Sequence, residues 1–203
     1  MSNRIEMLNR ALLRIGADPL ETELDPGAPV HLAVYDSVFD YLCGVHPWTQ
    51  FRETRRLPRL TAPPSRRYTY AFQLPPDRVG APRGFYAHDP ALEQSRATTD
   101  YELEGEMVLT MFPNLWAKLL VRRHPGYWLG GFREGFTLLL MSELAMSIRE
   151  DAVLRERLRR DALGTPSEQP HGGVIGQAIA ADSQAEPSVE CGGGLNPLID
   201  ARY

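Results

Sequence analysis

Few side chains in this sequence are placed to do chemistry. A zinc site needs three or four thiolate, imidazole or carboxylate ligands converging on one point. Cys43 and His46 stand three residues apart, but no second Cys or His pair lies beside them, and His31, His88, His124 and His171 are scattered. The residues therefore predict no metal; Cys43 reads as a core thiol and His46 as a helix-terminal group beside Pro47. Nucleophilic chemistry fares no better, for there is no Gly-x-Ser-x-Gly elbow and no short grouping of Ser or Cys with His and Asp. Asp36 and Asp40 fall one helical turn apart, but a shared proton requires burial. Two solvated, ionised carboxylates are the expectation. Gly192-Gly193-Gly194 lacks the strand, helix and lysine of a phosphate loop. No catalytic residue and no cofactor are expected.

The densest charge feature is a set of arginines: Arg52, Arg55, Arg56, Arg59, Arg66 and Arg67. As structure they are the solvent face of two strands; as function they are a patch for phosphates or for an acidic partner. The formal net charge of the 203-residue chain is −4, whereas a dedicated nucleic-acid binder usually carries a basic excess. An acidic protein surface is the better match, and the bidentate fork of arginine suits it. Lys118 is the only lysine, which a base-rich genome explains most simply.

These groups sit on a chain long enough for one domain, or one core with a smaller insert. Its hydrophobic fraction, 43%, is near the globular norm, so a packed core is expected. Two distant cysteines, Cys43 and Cys191, make no disulfide framework. The opening residues lack the apolar run of a signal peptide. A reducing folding compartment follows as the expectation.

The most apolar segment is Gly130 to Ile148. Phe132, Phe136, Leu139, Leu140, Leu144 and Ile148 repeat at helical spacing, and Leu138, Met141, Ala145 and Met146 widen the apolar surface over most of the circumference. Arg133, Glu134 and Glu143 make it unsuited to a bilayer. It reads as the central helix of the fold or as a helix buried between subunits.

Upstream, residues 3–15 form an amphipathic helix with Ile5, Leu8, Leu12 and Ile15 inward and Gly16 as a left-handed cap. A second helix over 28–45 turns Val34, Val38, Tyr41, Leu42 and Val45 inward and ends at His46-Pro47. Strand patterns then appear at 68–73, 84–87, 101–104, 107–111 and 115–121, with Gly105-Glu106 as a hairpin turn. The aromatic residues Trp48, Tyr68, Tyr70, Tyr86, Trp116, Tyr127 and Trp128 are core by default, or interfacial where they flank the strands. Asp151 caps a helix through Leu163 with Val153, Leu154, Leu158 and Ala162 inward. Residues 164–173 interrupt it, and helix resumes over 174–184. The fold class is therefore α+β: N-terminal helices over 1–50, an antiparallel β region over 51–125, and C-terminal helices over 126–185 packing with 1–50. Residues 186–203 form an extended arm whose Leu198, Ile199 and Tyr203 are suited to docking.

In order and spacing these landmarks are familiar. Leu8-Asn9-Arg10-Ala11-Leu12-Leu13-Arg14-Ile15-Gly16-Ala17 is followed by Tyr35-Asp36 and His46-Pro47-Trp48. Then come Tyr70-Ala71-Phe72-Gln73-Leu74-Pro75 with Asp77, Tyr101-Glu102-Leu103-Glu104-Gly105, the apolar helix, and Ala178-Ile179-Ala180-Ala181-Asp182. Over about residues 3–185 the chain resembles the head-to-tail adaptor of short-tailed bacteriophages, the tail tubular protein A family. That resemblance implies a virion protein made in the bacterial cytoplasm. It would assemble as a ring, usually twelve-fold, between the capsid portal and the tail nozzle, with genomic DNA passing through its channel unbound. The family carries no catalytic residues. The closing Asn196-Pro197-Leu198-Ile199-Asp200-Ala201-Arg202-Tyr203 also resembles the family's end, while the Gly/Pro insertion at 164–173 departs from it. A chain negative overall suits a wall along which DNA slides, since counterion-release binding needs positive charge; the arginines at 52–67 would then face a neighbour or the nozzle. The competing readings are a head-completion or connector protein of a long-tailed phage and a small enzyme.

Overall fold

The computed structural model describes residues 4–61, 68–91 and 97–185. Arg66, Arg67, Leu198, Ile199, Tyr203 and the 186–203 arm lie outside them. In chain order the elements are α1 (Arg4–Arg14), α2 (Ala28–Val45), β1 (Arg52–Arg56), β2 (Tyr70–Gln73), β3 (Gly84–Tyr86), β4 (Ala97–Thr98), β5 (Tyr101–Glu104), β6 (Met107–Thr110), β7 (Trp116–Leu120), α3 (Gly130–Arg149), α4 (Ala152–Leu163) and α5 (Gly173–Ala185). Helices enclose two antiparallel sheets in the sequence, so the fold is α+β.

Local chemistry sets the helix ends. Gly16, at φ +74°, turns the chain off α1 while the Ala17 N–H donates to Leu12 O at 2.9 Å, a cap that a side chain would strain. The Asp151 carboxylate accepts from the Leu154 N–H at 2.9 Å, so α4 starts where the sequence places its cap. α2 ends on His46, whose backbone is extended before Pro47.

α3 is the axis of the helical half and packs against α1, α2, α4 and α5. Phe132, Phe136, Leu139, Leu140, Met141, Leu144 and Ala145 are buried, with Thr137 and Ser142 donating to Arg133 O and Leu139 O. The chain's own helices cover most of α3, so it is the central helix of the fold. Only its last turns differ from expectation: Met146 and Ile148 are exposed, and the helix ends at Glu150, whose backbone is left-handed.

Tyr35, Phe39, Trp48, Phe51, Trp128, Phe132 and Phe136 form one aromatic cluster, with Phe39 stacked on Trp128 at 5.5 Å and Trp48 edge-on to Phe132 at 4.8 Å. Such pairs add about 0.5–1.5 kcal/mol each beyond their buried area. This cluster rotates α2 from its expected orientation. Tyr35, Val38, Phe39, Leu42 and Cys43 are buried, whereas Tyr41 is exposed and Val34 and Val45 are only partly covered. The helix is apolar on two faces, and the aromatic one wins the core. In α4, Leu158 and Ala162 are buried as expected, but Val153 is 82% exposed, lying in the first turn before the helix meets α3.

α5 approaches α3 closely because two glycines allow it. A Cβ on Gly135 would stand 2.2 Å from Ile175 Cδ1, and one on Gly131 would stand 3.1 Å from Ala178 Cβ.

The strand region divides into two sheets. One runs β1-β7-β3-β4 and the other β2-β6-β5, every pair antiparallel. β1 pairs β7 from Arg52 opposite Leu120 to Arg56 opposite Trp116. β5 and β6 form the expected hairpin, with Gly105 at φ +58° in its turn. Leu57, Phe72, Leu74, Phe85, Val108, Leu115, Ala117 and Leu119 fill a second core between the sheets. β4 has no counterpart in the sequence pattern; it is two residues long, too short for any periodicity.

Candidate functional site

Three groups of polar side chains merit attention, and the first joins the chain's two halves. Asp182, on α5, is buried. It accepts from His46 Nε2 at 2.9 Å and from the Thr49 N–H at 3.0 Å, and Thr49 Oγ1 also donates to it. The ring of Trp48 lies edge-on against His46 at 4.9 Å, and its indole N–H donates to Leu42 O at 2.8 Å. A histidine held by a carboxylate is half of a base-and-orienter pair. Here the neighbouring hydroxyl, Thr49 Oγ1, donates to the same carboxylate instead of facing the imidazole as a nucleophile. The arrangement clamps α5 to the corner after α2. His46 is thus at the helix end, as expected, but with a partner that the sequence reading missed. The signal was present: Ile175, Ala178 and Asp182 share a helical face, and an aspartate at the third, core-facing position needs buried donors.

The second group lies on the outer side of α2. Asp36 pairs with both Arg4 and Arg122, and Arg122 also reaches Asp40 Oδ1 at 3.0 Å. The guanidinium of Arg4 lies 5.2 Å from the centre of the Tyr35 ring and that of Arg122 lies 4.6 Å from Phe39. The two aspartates are therefore ion-paired rather than simply hydrated. Their arginines roof the aromatic cluster, stems and guanidinium planes covering rings that would otherwise meet water. Burial raises the Tyr35 hydroxyl above its ordinary range and pushes the Cys43 thiol up to about 12. Cys43 is a core thiol, and a thiol at that value is no nucleophile at neutral pH.

The arginines of β1 and the segment after it form the third group. Arg52 Nε donates to Pro47 O at 2.7 Å. Arg55 is shared between Glu53 and Asp77, and those two hydrogen bonds hold its pKa above the usual value. Arg56 bonds Asn114 Oδ1 and lies over the Trp116 ring at 5.6 Å, while Arg59 lies over Tyr70 at 4.1 Å. So four of the six expected residues, Arg52, Arg55, Arg56 and Arg59, are together on one strand and its extension. Their charges are treated differently: Arg55 is neutralised, whereas among the described residues Arg56 and Arg59 meet no carboxylate. Of the aromatic residues, Trp48, Tyr68 and Trp128 are buried, Tyr70, Tyr86 and Trp116 are half-buried, and Tyr127 is exposed.

The clefts are open rather than enclosed. One, of about 530 Å³, lies between α2, α3 and α4 and is lined by Val30, Val34, Met146 and the Glu143–Arg155 pair. Another, of about 460 Å³, is lined by Arg56, Leu57, Pro58, Arg59, Phe72, Pro113 and Asn114. Among the described residues no three His, Cys, Asp or Glu side chains converge as a metal site would require, and no helix is long and apolar enough to cross a membrane.

No family profile and no curated protein sequence matches the chain. Among solved structures, it is similar to a chain from one described as the neck of an empty GTA particle computed with C6 symmetry. The identity is 13% and the TM-score 0.33, covering 75% of this chain and 88% of that one.

Proposed function

We propose that this chain is a virion structural protein, a head-to-tail adaptor whose copies form a ring between the capsid portal and the tail nozzle, and that it performs no catalysis. The observation that carries the reading is the bond between Asp182 and His46. Each lies in a landmark of the resemblance, Ala178-Ile179-Ala180-Ala181-Asp182 and His46-Pro47-Trp48, and they meet across 136 positions of sequence. Landmarks that hold one another in space belong to a single architectural plan, which supports reading them together rather than as separate chance matches.

The polar chemistry supports the same direction. The histidine–aspartate pair, the Asp36 network and Arg55 are all spent on joining elements of the fold. In the ring the outward faces of α2 and α3, with Val30, Tyr41 and Met146, pack against neighbouring copies or virion partners. The β region, with the arginines at 52–67, faces a neighbour or the nozzle, and the 186–203 arm contacts the portal or an adjacent subunit. DNA passes the channel without specific binding.

Negative-stain imaging and light scattering of the purified protein, alone and with a portal protein of a short-tailed phage, test this reading. Closed rings in either sample support it. A monomer in both samples, or turnover of a substrate, overturns it.

A further inference from the structure

The three-stranded sheet has edges of opposite character. Beyond β2, the outer edge is covered by residues 58–60, with the Leu60 N–H donating to Ala71 O at 2.8 Å and the Gln73 N–H to Pro58 O at 3.0 Å. Arg59 projects from this edge, and Arg56, at the end of β1 in the four-stranded sheet, lines the same cleft. The other edge is β5, whose only strand partner among the described residues is β6. It reads Asp100-Tyr101-Glu102-Leu103-Glu104 without a basic residue, and Leu103 and Glu104 are exposed.

The basic edge is built to take carboxylates. Stacking on Trp116 and Tyr70 fixes each guanidinium plane and leaves N–H groups at its rim for a bidentate partner. The cleft beside them, about 460 Å³, has an apolar floor from Leu57, Pro58 and Pro113, suited to a leucine carried beside an acid. The acidic edge offers that combination in Leu103 and Glu104. The two edges cannot meet within one molecule, since three strand spacings separate them by about 14 Å.

We infer that the Arg56–Arg59 edge of one copy receives the β5 edge of the next copy. The contact joins two different surfaces and is therefore head-to-tail, the kind that closes into a ring when the rotation between copies allows. This deepens the ring reading above by naming the contact, and it rests on that reading for closure but not for association.

Sedimentation velocity of the full chain across a concentration series tests it, with far-UV circular dichroism to establish that each variant is folded. Arg59→Glu with Arg56→Glu, and separately Glu104→Arg, should each raise the concentration for half-association by roughly tenfold or more, since like charges oppose at the contact. Charge reversal on both edges together, Arg59→Glu with Glu104→Arg, should recover association lost by either reversal alone. In a Cys191→Ser background, Arg59→Cys with Glu104→Cys should give a ladder of disulfide-linked multimers on mild oxidation. Association unchanged by the single-edge variants, absence of the ladder, or a wild-type chain that stays monomeric throughout overturns the inference. Loss of retention on duplex DNA in the arginine variant with self-association intact assigns the cleft to phosphate and overturns it likewise. Rings that persist in every variant sink this contact but leave the adaptor reading standing. An open, charge-reversible chain of copies does the opposite.

Discussion

Replacing Asp182 by alanine is the most informative single perturbation of the fold. Asp182 is buried and accepts from His46 Nε2, the Thr49 N–H and Thr49 Oγ1. Removing it leaves the Thr49 amide without its acceptor in a site that water cannot easily fill, and frees an imidazole wedged against Trp48. A stranded donor costs about 1–3 kcal/mol, and each hydrogen bond to a carboxylate is worth about 1.5–3 kcal/mol. We take about 3–4 kcal/mol for Asp182→Ala, a large share of the ~5–15 kcal/mol that holds a domain together. Asp182→Asn keeps an oxygen for Thr49 but loses the charge, and should fall between the two. Urea unfolding followed by tryptophan fluorescence measures the total. Hydrogen exchange of peptides from 173–185 shows where the loss is felt, with α5 expected to lose protection before α3. A loss below about 1 kcal/mol, or unchanged protection of α5, would refute the view that this carboxylate clamps α5 to the corner.

Four other outcomes follow from the same structure. Gly135→Ala should destabilise by about 1–3 kcal/mol through overpacking, because its Cβ would lie 2.2 Å from Ile175 Cδ1; Ile175→Ala should relieve part of that, as thermal melts of the double variant would show. Gly176→Ala should be worse, since there the obstacle is the backbone oxygen of His171 at 1.8 Å, which has no rotamer to change. Cys43, in a Cys191→Ser background, should resist Ellman's reagent at pH 8 until denaturant is added. Its burial-raised pKa also means that the native state holds a proton the unfolded chain releases, so this contribution to stability is complete below about pH 9 and declines as pH rises towards 12. Asp36→Asn should lower stability by only about 1 kcal/mol, less in 1 M salt, because its pairs with Arg4 and Arg122 are about one-third exposed.

Much of this protein was legible before any tertiary information. Helix ends at Gly16, His46 and Asp151, the Gly105 hairpin and the α+β class follow from glycine's left-handed freedom, proline's restriction of its predecessor, side-chain caps and apolar period. All of these act within a few residues. What the tertiary structure alone decided is which of several adequate faces is used. The apolar pattern of α2 fits the Val34–Tyr41 face as well as the Tyr35–Phe39 face, and only the aromatic rings of Phe51, Trp128, Phe132 and Phe136 select the second. The helical face marks Asp182 as core-facing but not its partners, because its donors lie 133 and 136 positions away. The arginines are equivalent in the linear chain, and the fold separates Arg55, bound to Glu53 and Asp77, from Arg56 and Arg59, stacked and without a carboxylate among the described residues. Sequence alone sets period and punctuation, which are local; partner identity is long-range, and the packing of the whole chain assigns it.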